Sequence, residues 1–273
     1  MHNAVWLSPV RLHLFACLLH IIVATHIVRI APTGDPSSSD SASCGGPGVA
    51  ACASLAYAAK NRLSASEPTT LLLGAGVHEI DPDAAPVSIP ANSQEVTVRG
   101  AASDPSVTQL HCISVGVPPA LTFATAPVSS SSQSRTLEDV TFQNCQNKNS
   151  AVGGALFVSA SVDLNISNTV FKSNIAQSGA AIYIGKAQSN IQAAPGLIRI
   201  MGCSFFNNSV VTREFGGGAI TQNSGELEVS NSNFEGNHAF SSGGAVWIAG
   251  GTSRWFRCSF SHNAAHHPKA GGG

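Results

Sequence analysis

The sequence predicts an all-β chain wound as a right-handed parallel β-helix, a solenoid with a short N-terminal capping helix. Three observations predict it. A pattern recurs from Gly153 onward: a doublet of small residues, an apolar alternation, then a Phe with an Asn three places on. The Phe positions 142, 171, 205, 234 and 260 are 29, 34, 29 and 26 residues apart, a repeat length that admits either helix pairs or β-coils. Between repeats the apolar residues alternate with period two, as in Leu164-Asn165-Ile166 and Leu227-Glu228-Val229, which selects strands. The composition agrees: 43% of residues are hydrophobic but only 11% charged, with Gly, Ala, Ser and Asn abundant, which suits a solenoid with uncharged faces.

Taken in order, residues 1–31 read as a secretory signal peptide or, uncleaved, an N-terminal anchor. Arg11 precedes an apolar run with a core such as Leu14–Ala24, and cleavage after Ala24 or Ala31 is expected. Residues 32–48, with Asp35-Pro36, a Ser run and Gly45-Gly46-Pro47, read as a flexible linker. The solenoid is expected over 49–273. Its Ala-rich start, 49–62, is the one plausible helix, placed to cover the open apolar end of the first coil. Residues 63–135 form irregular early coils, with short strands at Thr70–Leu73, Val87–Ile89, Glu95–Arg99 and Val107–Cys112; Leu121–Phe123 begins the first recognisable coil, with an outward loop at Ser129–Ser134.

Residues 136–273 hold the regular coils. Seven and five positions before Phe171, Phe205 and Phe234 stand Leu164 and Ile166, Ile198 and Ile200, Leu227 and Val229, and Trp255 stands five before Phe260. Asp139, Asn168, Gly202 and Asn231, three before, suit a bend; Val140, Thr169, Cys203, Ser232 and Cys258, two before, are small or apolar. Stacked coils pair equivalent strands in parallel, and such crossovers are right-handed. Identical positions then lie about 4.8 Å apart along the axis. Phe142, Phe171, Phe205, Phe234 and Phe260 are expected to stack inside. Asn174, Asn208, Asn237 and Asn263 are expected to exchange amide hydrogen bonds between coils and satisfy backbone groups at a bend; the earliest copy has Cys145 instead. Gly153, Gly154, Gly179, Gly217, Gly218, Gly243 and Gly244 mark tight corners, by positive φ or close backbone approach.

The alternation of GGA[ILV] (Gly153-Gly154-Ala155-Leu156, Gly217-Gly218-Ala219-Ile220, Gly243-Gly244-Ala245-Val246) with FxxN resembles the repeats of chlamydial polymorphic outer membrane proteins, and more broadly the pectin-lyase-like superfamily. The resemblance covers roughly residues 136–273. It implies an extracellular or cell-surface setting and, in the chlamydial case, adhesion. Those proteins end in a membrane-inserted β-barrel, which no part of these residues resembles. Gly271-Gly272-Gly273 falls where the next glycine doublet would begin, so the C-terminal end of the helix is expected to be missing or supplied by a capping partner or by self-association.

Outside the first segment, which holds Cys17, six cysteines remain, a number that suits a disulfide-permissive route. Cys44 and Cys52, at the junction of linker and helix, are the favoured bridge. Cys203 and Cys258 share a column but the Ser232 coil separates them by about 9.6 Å, too far to bridge, so they read as small buried hydrophobes. Without a CxxC pair, structural zinc is not expected, and no cofactor is. His238, His262, His266 and His267 read as solvated loop histidines. Two sequons, at Asn165 and Asn207, are candidate glycosylation sites.

The net charge of −1 and unclustered Lys and Arg give no basis for nucleic-acid binding. Pectin-lyase-like enzymes need calcium-binding carboxylates with a base, or closely spaced Asp residues. The acids here, Glu138, Asp139, Asp163, Glu214, Glu226, Glu228 and Glu235, form no such set, and Arg199 faces Glu228 as an outward cross-strand pair. The expected function is a non-catalytic, secreted or cell-surface scaffold binding a glycan, matrix component or protein. The alternative is a polysaccharide lyase or glycoside hydrolase.

Overall fold

The computed structural model describes residues 26–81, 87–90, 93–112, 119–124, 134–147, 153–185, 195–212 and 216–266. Among these the strands are parallel throughout and stack into sheets of eight, seven, six and five strands, with one helix, Leu55–Asn61. The arrangement is all-β and consistent with a β-helix. A regular coil runs through four strands, for example Leu164–Ser167, Val170–Lys172, Ile175–Ala176 and Ile182–Gly185, one in each sheet. The next coil repeats them as Leu197–Met201, Ser204–Phe206, Ser209–Val210 and Ile220–Gln222, in register with Ile198 beside Leu164 and Phe205 beside Phe171.

The corners explain why the strands are so short. In the regular coils each passage from the eight- to the seven-stranded sheet turns on a residue with positive φ: Asp139 (60°), Asn168 (45°), Gly202 (64°), Asn231 (49°) and Arg257 (51°). The next corner turns on Asn144 (59°), Ser173 (54°), Asn207 (51°), Gly236 (64°) and His262 (53°), each immediately before Cys145 or a ladder Asn. Most of these are residue types that tolerate the left-handed region. The third corner uses the glycine doublets. Gly153, Gly179 and Gly243 have positive φ, whereas at Gly218 a Cβ would meet the carbonyl oxygen of Gly244 and, at 2.7 Å, that of His238.

The core is continuous from Val28 to Val229 and Ala245. The inward Phe142, Phe171, Phe205 and Phe234 are fully buried, with successive ring centroids 5.4, 5.0 and 4.5 Å apart and planes within 6°. Phe260 continues the stack 4.7 Å beyond Phe234 but is 52% exposed, because the coil containing it has a neighbour on one side only among the described residues. A small second cluster, Ala176, Ala180, Val210 and Ala239, fills the space beneath the glycine corners, where Ala180 replaces the second glycine.

The start of the chain differs from expectation. Residues 1–25, which hold most of the expected signal or anchor, lie outside the described residues. His26–Ile30, inside the expected 1–31 segment, is the edge strand of the eight-stranded sheet, in register with Thr69–Leu73. Its alternation buries Val28 and Ile30 and turns Ile27 and Arg29 outward, a period-two pattern concealed within a longer apolar run. The stretch 32–48, expected to be a flexible linker, is fastened down. Arg29 N–H donates to Gly45 O (3.0 Å), Thr33 N–H to Val77 O (2.8 Å), and Glu79 N–H to Thr33 Oγ1 (2.7 Å). The helix is shorter than 49–62 because residues up to Ser54 serve other partners. Cys52 is bonded to Cys44 and lies beside Ile30, and Asp40 Oδ1 accepts from the N–H groups of Ala53 and Ser54. Ser54 Oγ then takes the N–H of Tyr57 as N-cap. Leu55, Ala58 and Ala59 bury the helix against the first coils.

Candidate functional site

Two features emerge from the stacking, one internal and one external. Internally, the Oδ1 of Asn208, Asn237 and Asn263 each accepts twice from the coil before it. Asn208 Oδ1 takes the N–H of Asn174 (3.2 Å) and its Nδ2 (2.9 Å); Asn237 serves Asn208, and Asn263 serves Asn237, at 2.9–3.0 Å. Each Nδ2 also donates to the carbonyl of the preceding coil's Phe: Asn174 to Phe142, Asn208 to Phe171, Asn237 to Phe205 and Asn263 to Phe234. The ladder starts at Cys145, whose N–H donates to Asn174 Oδ1 (3.0 Å). Asn174, Asn208 and Asn237 are fully buried, so this bonding replaces water at a corner where the strand ladder is interrupted. Cys145, standing in the Asn column, is also disulfide-bonded to Cys112 of the coil before, a pairing the sequence reading missed. The signal was present: two cysteines in adjacent coils near the same corner.

Externally, a groove of about 640 Å³ runs along the outer face of the seven-stranded sheet. Its floor follows two outward columns. One holds Glu79, His111, Gln143, Lys172, Phe206, Glu235 and Ser261; beside it run Val77, Gln109, Thr141, Val170, Ser204, Asn233 and Ser259. The groove is lined by Gln109, Thr141, Gln143, Val170, Lys172, Phe206, Asn207 and Glu235 of these coils, and by Asp104, Pro105 and Ser106 of the loop that rises as its wall. That wall is held in place. Thr141 Oγ1 donates to Pro105 O (2.8 Å), Asn168 Nδ2 donates to Ser103 O, and Asp104 Oδ1 accepts from the N–H and Oγ of Ser106.

The electrostatics of the groove are mixed. The Ser106 bonds hold the Asp104 carboxyl below its usual range, so it is a carboxylate at neutral pH. Lys172 and Glu235 are exposed, and among the described residues neither is in an ion pair. Burial lowers the pKa of His111, opposed by the nearby Glu79, so its ring is neutral at pH 7; its Nε2 donates to Gln109 Oε1 (3.2 Å) in one tautomer and accepts from Gln143 Nε2 in the other.

A smaller depression of about 270 Å³ lies on the eight-stranded sheet, around Arg199 and Glu228. The expected Arg199–Glu228 pair forms at 3.4 Å, and Arg254 of the following coil joins it at 3.0 Å. Arg135 is a further surprise: it occupies the inward column of Leu164 and Ile198, buried, with a guanidinium N–H donated to Pro90 O.

The remaining expected residues are dispersed. Asn165 points outward, half-buried, with Nδ2 donating to Ser134 Oγ (3.3 Å); Asn207 is exposed at the groove rim. Cys203 and Cys258 are free thiols, and burial pushes the Cys203 pKa up to about 12. His238 and His266 pack their rings 4.1 Å apart, tilted by 31°, and among the described residues no group of three or more His, Cys, Asp or Glu could hold a metal ion. His267, Glu214 and Gly271–Gly273 lie outside the described residues. No helix among the described residues is long and apolar enough to cross a membrane. Set against protein-family models, curated proteins and solved structures, the chain finds no match.

Proposed function

We propose that this protein is a secreted or cell-surface β-helix scaffold that binds a glycan, matrix component or protein without transforming it, through the groove on its seven-stranded sheet. The observation that carries this reading is a long, regular groove with one wall fastened to the floor, lined by polar side chains that include an unpaired cation. The Cys44–Cys52 and Cys112–Cys145 bonds support passage through an oxidising, secretory route. The short helix against the first coils supports a capping role, and the right-handed sense of the coil follows from the general rule for parallel crossovers. The GGA and FxxN repeats support kinship of design with surface β-helices, adhesins included.

The enzymatic alternative needs carboxylates acting together. The groove's two, Asp104 and Glu235, stand on different elements, and Asp104 is already engaged by Ser106.

The test is binding by purified protein to immobilised glycans and matrix proteins, comparing Lys172→Glu and Phe206→Ala with Arg254→Ala on the other sheet. The groove variants are expected to lose about 1–2 kcal/mol of binding each, and Arg254→Ala none. Ligands whose binding ignores the groove variants would overturn the assignment. Cleavage of a polysaccharide that Glu235→Gln abolishes would favour the enzyme.

A further inference from the structure

From the spacing and charge of the groove we infer that its ligand is a neutral, extended β-1,4-linked glycan carrying acetamido groups, seated one sugar per coil. This rests on the reading of the groove as the binding surface.

Geometry comes first. The floor presents one equivalent position per coil, roughly every 4.8 Å along the axis. In an extended β-1,4-linked glycan successive pyranose rings advance by nearly that spacing, so each coil meets a new ring, with alternate rings presenting opposite edges. An extended peptide advances roughly 3.3 Å per residue, with side chains on one face roughly 6.7 Å apart, and falls out of step within two coils. Five successive coils contribute to the floor, from Gln109 to Glu235.

Charge then narrows the class. The groove holds one cation, Lys172, against two carboxylates, Asp104 and Glu235. Lys172 and Glu235 are two coils apart, about 9.6 Å, with Phe206 between them in the same column. A polyuronate would place a carboxylate on every ring, and those facing Glu235 and Asp104 would be repelled. A neutral chain meets no such penalty. Phe206, half-buried with an outward ring, offers an apolar surface to one sugar face. Val170 offers a site for an acetamido methyl, and Gln143 Oε1 an acceptor for the acetamido N–H. Gln143 Nε2 is already oriented by Gln109 Oε1, 3.4 Å away.

The experiment titrates the whole protein with chitohexaose and, separately, with hexagalacturonate at low and moderate salt. Chitohexaose is expected to bind with little salt dependence, to weaken tenfold or more in Phe206→Ala and in Gln143→Ala, and to be untouched in Arg254→Ala, all variants keeping the parental circular dichroism. Tighter binding of hexagalacturonate, lost in Lys172→Ala, would overturn the neutral-glycan inference while leaving the groove as the site. Binding of a protein partner through the groove variants, with neither sugar bound, would do the same. Chitohexaose binding indifferent to every groove variant would overturn the site itself.

Discussion

Asn208 carries more of the stack than its size suggests. Its side chain satisfies two donors of Asn174 and the carbonyl of Phe171 while its own N–H and Nδ2 lean on Asn237. Asn208→Ala is expected to cost about 1–3 kcal/mol, because the orphaned groups are buried. Phe205→Ala is expected to cost about 3–5 kcal/mol, removing a ring stacked on both sides. Urea denaturation of both variants checks this; two neutral results would sink the assignment of both columns. These columns were legible because the spacing from Phe to Asn repeats without error. The minus-two column was half-read: Ser232 looked like a small filler, yet its Oγ accepts the N–H of Cys203 (3.1 Å) and donates to Ser230 O, doing at one corner what Asn does at the next. Arg135 was illegible for a different reason, since a charged residue in an apolar column contradicts the pattern that defines the column.

Elements built of two to five residues hold only because neighbours hold them, and the reading succeeded wherever a neighbour repeated it. Val87–Ile89 was placed to the residue, and Leu121–Phe123, expected to begin the first recognisable coil, is a strand of the six-stranded sheet. The N-terminal strand was lost because its partner, Thr69–Leu73, lies far along the chain and the intervening loop resembles a linker in composition. That loop and the first coils are held by covalent bonds of different reach. Cys112–Cys145 spans 33 residues, and Cys44–Cys52 spans 8. Loop-closure entropy assigns about 3–4 kcal/mol to the first and about 2–3 kcal/mol to the second. Replacing Cys112 and Cys145 by Ser should therefore lower the melting temperature more than replacing Cys44 and Cys52. Calorimetry showing the opposite order would mean that the N-terminal loop, rather than the first coils, limits stability. The groove, by contrast, escaped the sequence because its wall comes from an irregular loop, fastened by bonds such as those from Thr141 and Asn168 that no pattern announces.

At the scale of the whole molecule, the core meets the pH range around neutrality through His78. His78 heads the inward column that continues as Leu110, Phe142 and Phe171, and bonds through Nε2 to Gly74 O (2.9 Å). Burial holds its pKa below the ordinary value. The unfolded chain therefore takes up a proton at a pH where the folded chain does not, so stability is full above about pH 6.5 and declines as pH falls below it. The half-exposed His111 and His238 are lowered in the same direction, His238 by burial and then by His266. Melting temperature is expected to fall from pH 7.5 to pH 5, and His78→Leu should flatten part of that slope. A profile unchanged by the substitution would place the titration elsewhere.

Because Asn208 and Asn237 are each served by the coil after and serve the coil before in the same way, the bonding has no preferred total count. A gene that duplicates or deletes one whole repeat would yield a longer or shorter rod whose internal joints are chemically the same. Reach along the axis can thus change one coil at a time by gain or loss of a repeat, without any new ladder side chain having to be found.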